Sequence, residues 1–163
     1  MKSIMSADEV LAIAEQIERN GAKFYRQAAD GFEIGRKKEL LLNLAAIEDN
    51  HEEIFADMRR DLSQADSTGP DDQGTLYLQA LAGGYVFDVT ADPSEKLSGQ
   101  ESIEEILETA LVLEKESVIY YLGIKEAVPV KLGQSKIDVI IKEEMGHIAL
   151  LSKELAKLRG ELA

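Results

Sequence analysis

Three ionisable residues in the first half of this chain return in the second half at a constant offset of 96 positions. The two sets are Glu18, Glu48 and His51, and Glu114, Glu144 and His147. The two histidines are the only ones in the chain, and each follows a glutamate by three residues. Any fold of this sequence therefore has to accommodate two similar halves, each with one Glu and one Glu-x-x-His.

Apolar residues flank each of these positions at alternating spacings of three and four, which is the core pattern of helices packed in a bundle. The four stripes are Leu11, Ala14, Glu18, Gly21, Tyr25 and Ala28; Leu41, Leu44, Glu48, His51, Phe55, Met58 and Leu62; Leu107, Ala110, Glu114, Ser117, Tyr121, Ile124 and Val128; and Ile137, Ile140, Glu144, His147, Leu151, Glu154 and Leu158. The pattern predicts four long helices around one core, with the ionisable residues facing inwards.

The starts of three helices are marked by a serine with an acidic residue three positions later. The pairs are Ser6 with Glu9, Ser102 with Glu105, and Ser135 with Asp138. The first two match the capping box, in which each side chain bonds the other residue's backbone N–H, and the third approximates it.

Short breaks separate the first segment from the second and the third from the fourth. Gly31 and Gly35 interrupt the first pair, and Pro129 and Gly133 interrupt the second. Because short connections make neighbouring helices antiparallel, we expect one hairpin over about residues 6–63 and another over about residues 102–160.

A stretch from about residue 64 to about residue 101 joins the hairpins and is rich in Asp, Ser, Gly and Pro. Inside it, Thr75–Ala82 has the pattern of a short helix that ends at Gly83 and Gly84. A connection of this length favours the long crossover of a ferritin-like bundle. We therefore predict an all-α, ferritin-like four-helix bundle of two antiparallel hairpins, and a single domain over residues 1–163, because neither hairpin could bury its apolar face alone.

Composition narrows the range of partners and locations. The chain has no cysteine, which excludes disulfides and thiolate metal sites. Its formal net charge of −13 argues against nucleic acid and anionic membranes as partners and favours cations. Acidic residues appear in the N-terminal region before any apolar run long enough for a signal peptide, and no segment is long enough to span a membrane. We expect a soluble, cytoplasmic protein.

Four glutamates on the inward faces are unfavourable together unless protons or cations neutralise them. Two divalent ions would balance the four charges, and two neutral imidazoles would add ligands without adding charge. Residues three apart on a helix lie about 4.5 Å apart along the axis and point in neighbouring directions, so one Glu-x-x-His can address one ion. The pattern predicts two metal ions per chain, and mixed oxygen and nitrogen ligands suit iron or manganese without excluding zinc.

Tyr25 and Tyr121 occupy equivalent positions, seven residues after the first glutamate of each set and so about two turns along the same face. Two interpretations stay open: they are core aromatics whose hydroxyls find a partner, or they support the metal ligands. The adjacent Phe24 and Tyr120 are interpreted as packing residues.

Further acidic residues lie near these positions in sequence but off the inward stripes. We interpret them as part of the solvated faces; they are Glu15, Glu52, Glu53, Glu116 and Glu143.

The six-residue set spans nearly the whole chain and resembles that of the rubrerythrin family within the ferritin-like superfamily. The segments Ile17–Tyr25 and Leu113–Tyr121 also resemble that family's ligand helices. The resemblance implies that Glu48 and Glu144 bridge two iron ions, that Glu18 and Glu114 are terminal carboxylates, and that His51 and His147 are terminal nitrogen ligands. It also implies a reduced di-iron centre that reacts with hydrogen peroxide or dioxygen.

Two departures from that family carry consequences. Rubrerythrins usually have a Cys-ligated rubredoxin domain, which a chain without cysteine cannot form, so the electron donor has to be a separate protein such as a rubredoxin. They also have an additional Glu where this chain has Ser117. The remaining symmetric set is closer to bacterioferritin and raises ferroxidase chemistry.

Three functional hypotheses follow. The first is a di-iron oxidoreductase, of rubrerythrin-like peroxidase type, that uses peroxide or dioxygen. The second is a ferroxidase in iron storage or delivery, for which ferrous ion is the substrate. The third is a non-redox metal-binding or structural bundle. In each case we expect a homo-oligomer, most simply a dimer.

Overall fold

The computed structural model describes residues 5–62, 73–84, 86–128 and 130–161. These residues form five α-helices and two short 3₁₀ turns, at Pro93–Lys96 and Val130–Leu132, and no strand. The helices are α1 (Ala7–Asp30), α2 (Arg36–Arg60), α3 (Gln73–Ala82), α4 (Ile103–Ala127) and α5 (Gln134–Leu158). The predicted all-α, ferritin-like four-helix bundle, with a short helix in the crossover, is confirmed.

The four long helices pack as two hairpins. Helix α1 lies along α2, and α4 lies along α5. The hairpins meet where α1 faces α4 and where α2 faces α5, while α3 lies against α4. This arrangement brings one inward stripe from each hairpin helix to a common core.

The starts of the helices were predicted correctly in two cases and wrongly in one. Ser6 and Ser102 both form complete capping boxes. Helix α5 instead begins after Gly133, whose backbone is left-handed (φ 111°), and it has no side-chain cap. Asp138 pairs with Lys125 of α4 at 2.7 Å, so its carboxylate holds two helices together and does not cap α5.

Two apolar clusters fill the bundle on either side of the ionisable layer. The cluster at one end combines residues from the start of α1, the end of α2, helix α3, the end of α4 and the start of α5. It includes Leu11, Phe55, Met58, Leu78, Leu81, Tyr120, Tyr121, Ile124, Ile137 and Ile140. Toward the other end lie Phe24, Tyr25, Leu41, Leu44, Ile106, Leu107, Leu151 and Leu155. The ionisable residues are therefore held between two water-excluding layers.

The inward stripe of α5 differs from the prediction near its end. Leu155 is buried, whereas Leu158 is 47% exposed. Glu154 is half-buried and pairs with Lys157 at 2.9 Å. A step of four residues from Leu151 keeps the next side chain over the core, and the predicted step of three turns it toward the surface.

The return segment of the crossover is fastened to the outer side of α1 by a polar strip. Asn20 Nδ2 donates to Ala91 O at 3.3 Å, and Gln27 Nε2 donates to Ser94 O at 3.1 Å. Between them, Lys23 pairs with Asp92 at 2.5 Å. Because positions 20, 23 and 27 share one helical face, the crossover is held close to the centre of the bundle.

Hydropathy gives no support for a transmembrane helix. Among the described residues, none of the helices is both long and apolar enough to cross a bilayer.

Candidate metal centre

The structure brings all six predicted residues together in the middle of the bundle. Each of them is buried, with a relative exposure of 6% or less; they are Glu18, Glu48, His51, Glu114, Glu144 and His147. Each lies at the point where its helix passes between the two apolar clusters. The packing of the four helices therefore buries one layer of polar side chains in the middle of the bundle.

Within this layer the side chains form two overlapping groups. One group consists of Glu18, Glu48, His51 and Glu144, and the other of Glu48, Glu114, Glu144 and His147. In each group, one ligand-type atom per residue lies within 4.8 Å of the others, which is close enough to surround one ion. Glu48 and Glu144 belong to both groups.

The carboxylate of Glu144 faces both histidines with different oxygens. Its Oε1 lies 2.8 Å from His51 Nδ1, and its Oε2 lies 3.1 Å from His147 Nδ1. Glu18 Oε2 is 3.5 Å from His51 Nδ1, and Glu114 Oε1 is 3.5 Å from His147 Nδ1. His147 Nδ1 also lies 3.6 Å from Glu48 Oε1. The two histidines thus share Glu144, and each has a glutamate of the first or third long helix beside it.

Several of these atoms are buried without a hydrogen-bond partner among the described residues. They are Glu18 Oε2, Glu48 Oε1, His51 Nδ1 and Glu144 Oε1. Although His51 Nδ1 and Glu144 Oε1 are 2.8 Å apart, they are not aligned as a hydrogen bond. A buried polar atom without a partner costs about 1–3 kcal/mol, and four in one place fit a site whose atoms coordinate a cation.

The electrostatics of the carboxylates point the same way. Burial, followed by the charge of Glu144, raises the pKa of Glu18. Burial and the charge of Glu18 raise the pKa of Glu48. Burial raises the pKa of Glu114 to about 8. Without metal, the raised pKa values favour the protonated forms of these groups, and a divalent ion would displace protons on binding.

The pKa values of the two imidazoles and of Glu144 change in the direction opposite to the one that burial alone would produce. Burial lowers the pKa of His51, but Glu144 and Glu143 outweigh it and raise that pKa to about 9. Glu114 and Glu144 likewise raise the pKa of His147 to about 10. Despite burial, the adjacent Glu114 carboxyl and the two imidazoles lower the pKa of Glu144. Glu144 is thus the anionic centre of the layer.

Two tyrosines connect the hairpins at this layer. The hydroxyl of Tyr25, on α1, donates to Glu114 Oε1 on α4 at 2.5 Å. The hydroxyl of Tyr121, on α4, donates to Glu18 Oε1 on α1. Each tyrosine therefore orients a buried carboxylate of the other hairpin and also packs in the apolar core. Tyr120 packs as expected, and its hydroxyl donates to Val10 O at 3.2 Å.

Sequence reasoning missed one residue. Glu143, interpreted as part of a solvated face, places Oε2 2.6 Å from His51 Nε2, although 47% of its side chain is exposed. Glu143 is exposed, as interpreted, but the position of α5 also turns its carboxylate toward α2. A buried histidine that uses Nδ1 as a ligand needs a partner for Nε2, and this requirement was the available signal.

A small cavity reaches the layer from the side of the crossover. Its volume is about 50 Å³, and it is lined by Gly21 and Ser117, by Glu48 and Glu114, and by crossover residues such as Val89. A Cβ added at Gly21 would lie 2.7 Å from Glu48 Oε2. The absence of a side chain at this position therefore leaves room for the carboxylate.

Four long helices around a buried layer of four carboxylates and two imidazoles define a ferritin-like bundle of the di-metal carboxylate type. Residues 9–88 match the family model described as rubrerythrin. A crystal structure from Thermotoga maritima, named as a candidate ferritin-like diiron-carboxylate protein, is 26% identical with a TM-score of 0.78. That similarity covers 95% of this chain and 97% of the other. No curated protein matches the sequence. The predicted resemblance to rubrerythrins is confirmed over residues 9–88, and the chain as a whole has the ferritin-like fold.

Proposed function

We propose that the protein is a di-iron oxidoreductase whose two ions are bound by the six buried residues. Glu18 and His51 would serve one ion, Glu114 and His147 the other, and Glu48 and Glu144 would bridge them. The observation that carries this proposal is the set of buried ligand atoms without hydrogen-bond partners. The membership of Glu48 and Glu144 in both groups supports the bridging roles.

Two bound iron ions would supply electrons for the reduction of hydrogen peroxide or dioxygen. The protein's part is to hold the ligands and limit the access of water. Tyr25 and Tyr121 keep the terminal carboxylates oriented, because each hydroxyl donates to one of them. The cavity beside Gly21 and Ser117 has space for a molecule of a few atoms only, which suits a small oxidant.

The electron donor in this proposal is a separate protein, such as a rubredoxin, because no cysteine is available for an internal one. Electrons would have to reach the bundle from outside and restore the ferrous state after each turnover.

The test is metal analysis and oxidation kinetics on one sample. Iron-loaded, reduced protein is mixed with peroxide and, separately, with dioxygen, and the ferric absorption is followed. We expect two iron ions per chain and rapid oxidation by at least one oxidant, and loss of both in Glu48→Ala. Stable binding of zinc with no ferric absorption after iron loading would reject the redox function and leave a non-redox bundle.

A second candidate function, iron oxidation for storage or delivery, is favoured by Ser117. At this position the resembled rubrerythrins have a further glutamate, and without it the ligand set is symmetric. Ferrous ion would then be the substrate. Continued uptake of iron beyond two ions per chain in air would favour this function over peroxide reduction.

A further inference from the structure

The two histidines of the site differ in what holds their outer nitrogen. His51 is fully buried, and its Nε2 lies 2.6 Å from Glu143 Oε2. The residue that corresponds to Glu143 in the first half of the chain, 96 positions earlier, is Ile47. The two halves of the chain therefore differ at the residue directly before each Glu-x-x-His.

His147 has no equivalent support. All of its ion contacts and hydrogen bonds with the described residues involve Nδ1. Its ring borders a surface depression of about 430 Å³, and 8% of its side chain is exposed. Ile47, Asn50, Gly146 and Glu143 also line this depression, but Glu143 Oε2 bonds His51 and no hydrogen bond joins Glu143 to His147. Nothing lies within 4 Å of a Cβ added at Gly146.

A carboxylate on the outer nitrogen changes what an imidazole does as a ligand. It holds the proton on Nε2, leaves Nδ1 free to bind, fixes the ring plane and makes the ligand more basic. Loss of such a partner typically costs about 10–100-fold in metal affinity. His51 has this partner, whereas the Nε2 of His147 has none among the described residues and its ring borders a depression that opens to solvent.

We infer, on the basis of the proposed function, that the two metal positions are unequal. The position served by His51 holds its divalent ion tightly, with Glu143 as the positioning residue. The position served by His147 exchanges its ion with solvent through the depression beside Ile47.

The test uses Co²⁺ as the probe and the full-length protein. Binding is followed by calorimetry and by visible absorption in wild type, Glu143→Gln and Ile47→Glu. We expect two resolved steps in wild type. Glu143→Gln should weaken the tighter step by about tenfold or more and leave the weaker step unchanged, because only one imidazole loses its partner.

Ile47→Glu supplies the missing partner to His147 and should tighten the weaker step by a similar factor. Ile47→Gln separates the effect of charge from that of shape. Glu53→Gln removes an exposed carboxylate from the same helix and should alter neither step, which controls for a change in net charge.

A second readout identifies the histidine concerned. In the Co²⁺-loaded protein, each coordinated imidazole gives a paramagnetically shifted N–H proton signal. The N–H of His51 should exchange slowly with water in wild type and rapidly in Glu143→Gln. Ile47→Glu should slow the exchange of the other. A residue with only a structural role would not move one signal alone.

The outcomes separate the two proposals. Fewer than two Co²⁺ ions per wild-type chain would overturn the proposed function and this inference with it. Two steps of equal affinity in wild type, or equal weakening of both steps by Glu143→Gln, would overturn the inference alone.

Discussion

At the scale of single residues, the site consists of polar side chains whose burial is tolerated only because they interact with one another. Glu144 lies between two imidazoles, while Glu18 and Glu114 each receive a tyrosine hydroxyl. None of these side chains could be buried alone at acceptable cost. Removal of one member is therefore expected to act on specific neighbours.

Alanine substitutions should separate terminal from bridging ligands. His51→Ala and His147→Ala are each expected to weaken mainly one metal position, whereas Glu48→Ala and Glu144→Ala should disturb both, because each lies in both groups. Metal content and stepwise affinities measured by calorimetry provide the check. Equal metal content in all four variants would contradict these roles.

Gly21→Ala should damage the site without damaging the fold. The new Cβ would lie 2.7 Å from Glu48 Oε2, so the flexible end of that glutamate has to move. The helix itself gains up to about 1 kcal/mol when alanine replaces glycine. We expect weaker metal binding and an unchanged or higher free energy of unfolding of the metal-free protein.

Ser117→Ala, at the equivalent position of the other half, is the control for Gly21→Ala, because it adds no atom near the carboxylates. If the metal affinity of Gly21→Ala equalled that of wild type, the close approach of Gly21 to Glu48 would have no consequence for the site.

At the scale of helices, the crossover is held in two different ways. Its return segment is fastened to α1 by side-chain hydrogen bonds and an ion pair, as at Asn20 and Lys23. Its helix α3 instead packs closely on α4 at Gly123, and Tyr77 donates to Ile119 O at 2.7 Å. The packing of α3 on α4 leaves no room for a larger residue at Gly123.

A pair of glycine substitutions tests this packing. Gly123→Ala would place a Cβ 2.6 Å from Leu78 Cδ2, so α3 has to shift, and overpacking of this kind costs about 1–3 kcal/mol. Gly146→Ala meets nothing within 4 Å and should stabilise α5 by up to about 1 kcal/mol. Urea unfolding of the metal-free proteins measures both effects. A Gly123→Ala protein as stable as Gly146→Ala would contradict close packing of α3 on α4.

At the scale of the whole molecule, several acidic residues are buried in the core, where a charged carboxylate is least favourable. The chain has a formal net charge of −13, and four of its carboxylates lie in one buried layer. The separate electron donor, the homodimer and the cytoplasmic location stay predictions. The effect of pH on stability, by contrast, follows from the buried layer.

The metal-free protein should become less stable as the pH rises. Because the pKa of Glu114 is raised to about 8, and those of Glu18 and Glu48 are also raised, the folded state retains protons that the unfolded chain has released. That stabilisation is complete below the ordinary glutamate pKa and disappears as the pH rises through the folded pKa. His51 and His147 act in the same direction, between 6.5 and their folded values of about 9 and about 10.

Divalent metal should remove most of this dependence, because the ions take the place of the protons. The melting temperature of the loaded protein should exceed that of the metal-free protein by more at about pH 8 than at about pH 5. Thermal melts at matched ionic strength, with and without a chelator, provide the measurement. A gap that is constant or narrows with rising pH would contradict this account.

Local rules made much of the molecule predictable from the sequence. Which residues share a helical face depends only on spacing, so the six ionisable residues and the apolar stripes around them could be identified. A capping box depends on a serine and a glutamate three residues apart, and both complete boxes were predicted. Glycine pairs near residues 31 and 83 indicated where helices end for the same local reason.

The remaining features depend on how each helix is rotated and placed against its neighbours. The contact of Glu143 with His51 and the tyrosine–glutamate hydrogen bonds between the hairpins all join different helices, so spacing within one helix could not reveal them. The left-handed start of α5 at Gly133 and the burial of Leu155 in place of Leu158 follow from the same placement. The sequence by itself determined the inward stripe of each helix up to the last turns of α5, and the tertiary structure decided which of those residues touch, because a contact between helices requires positions accurate to about an ångström.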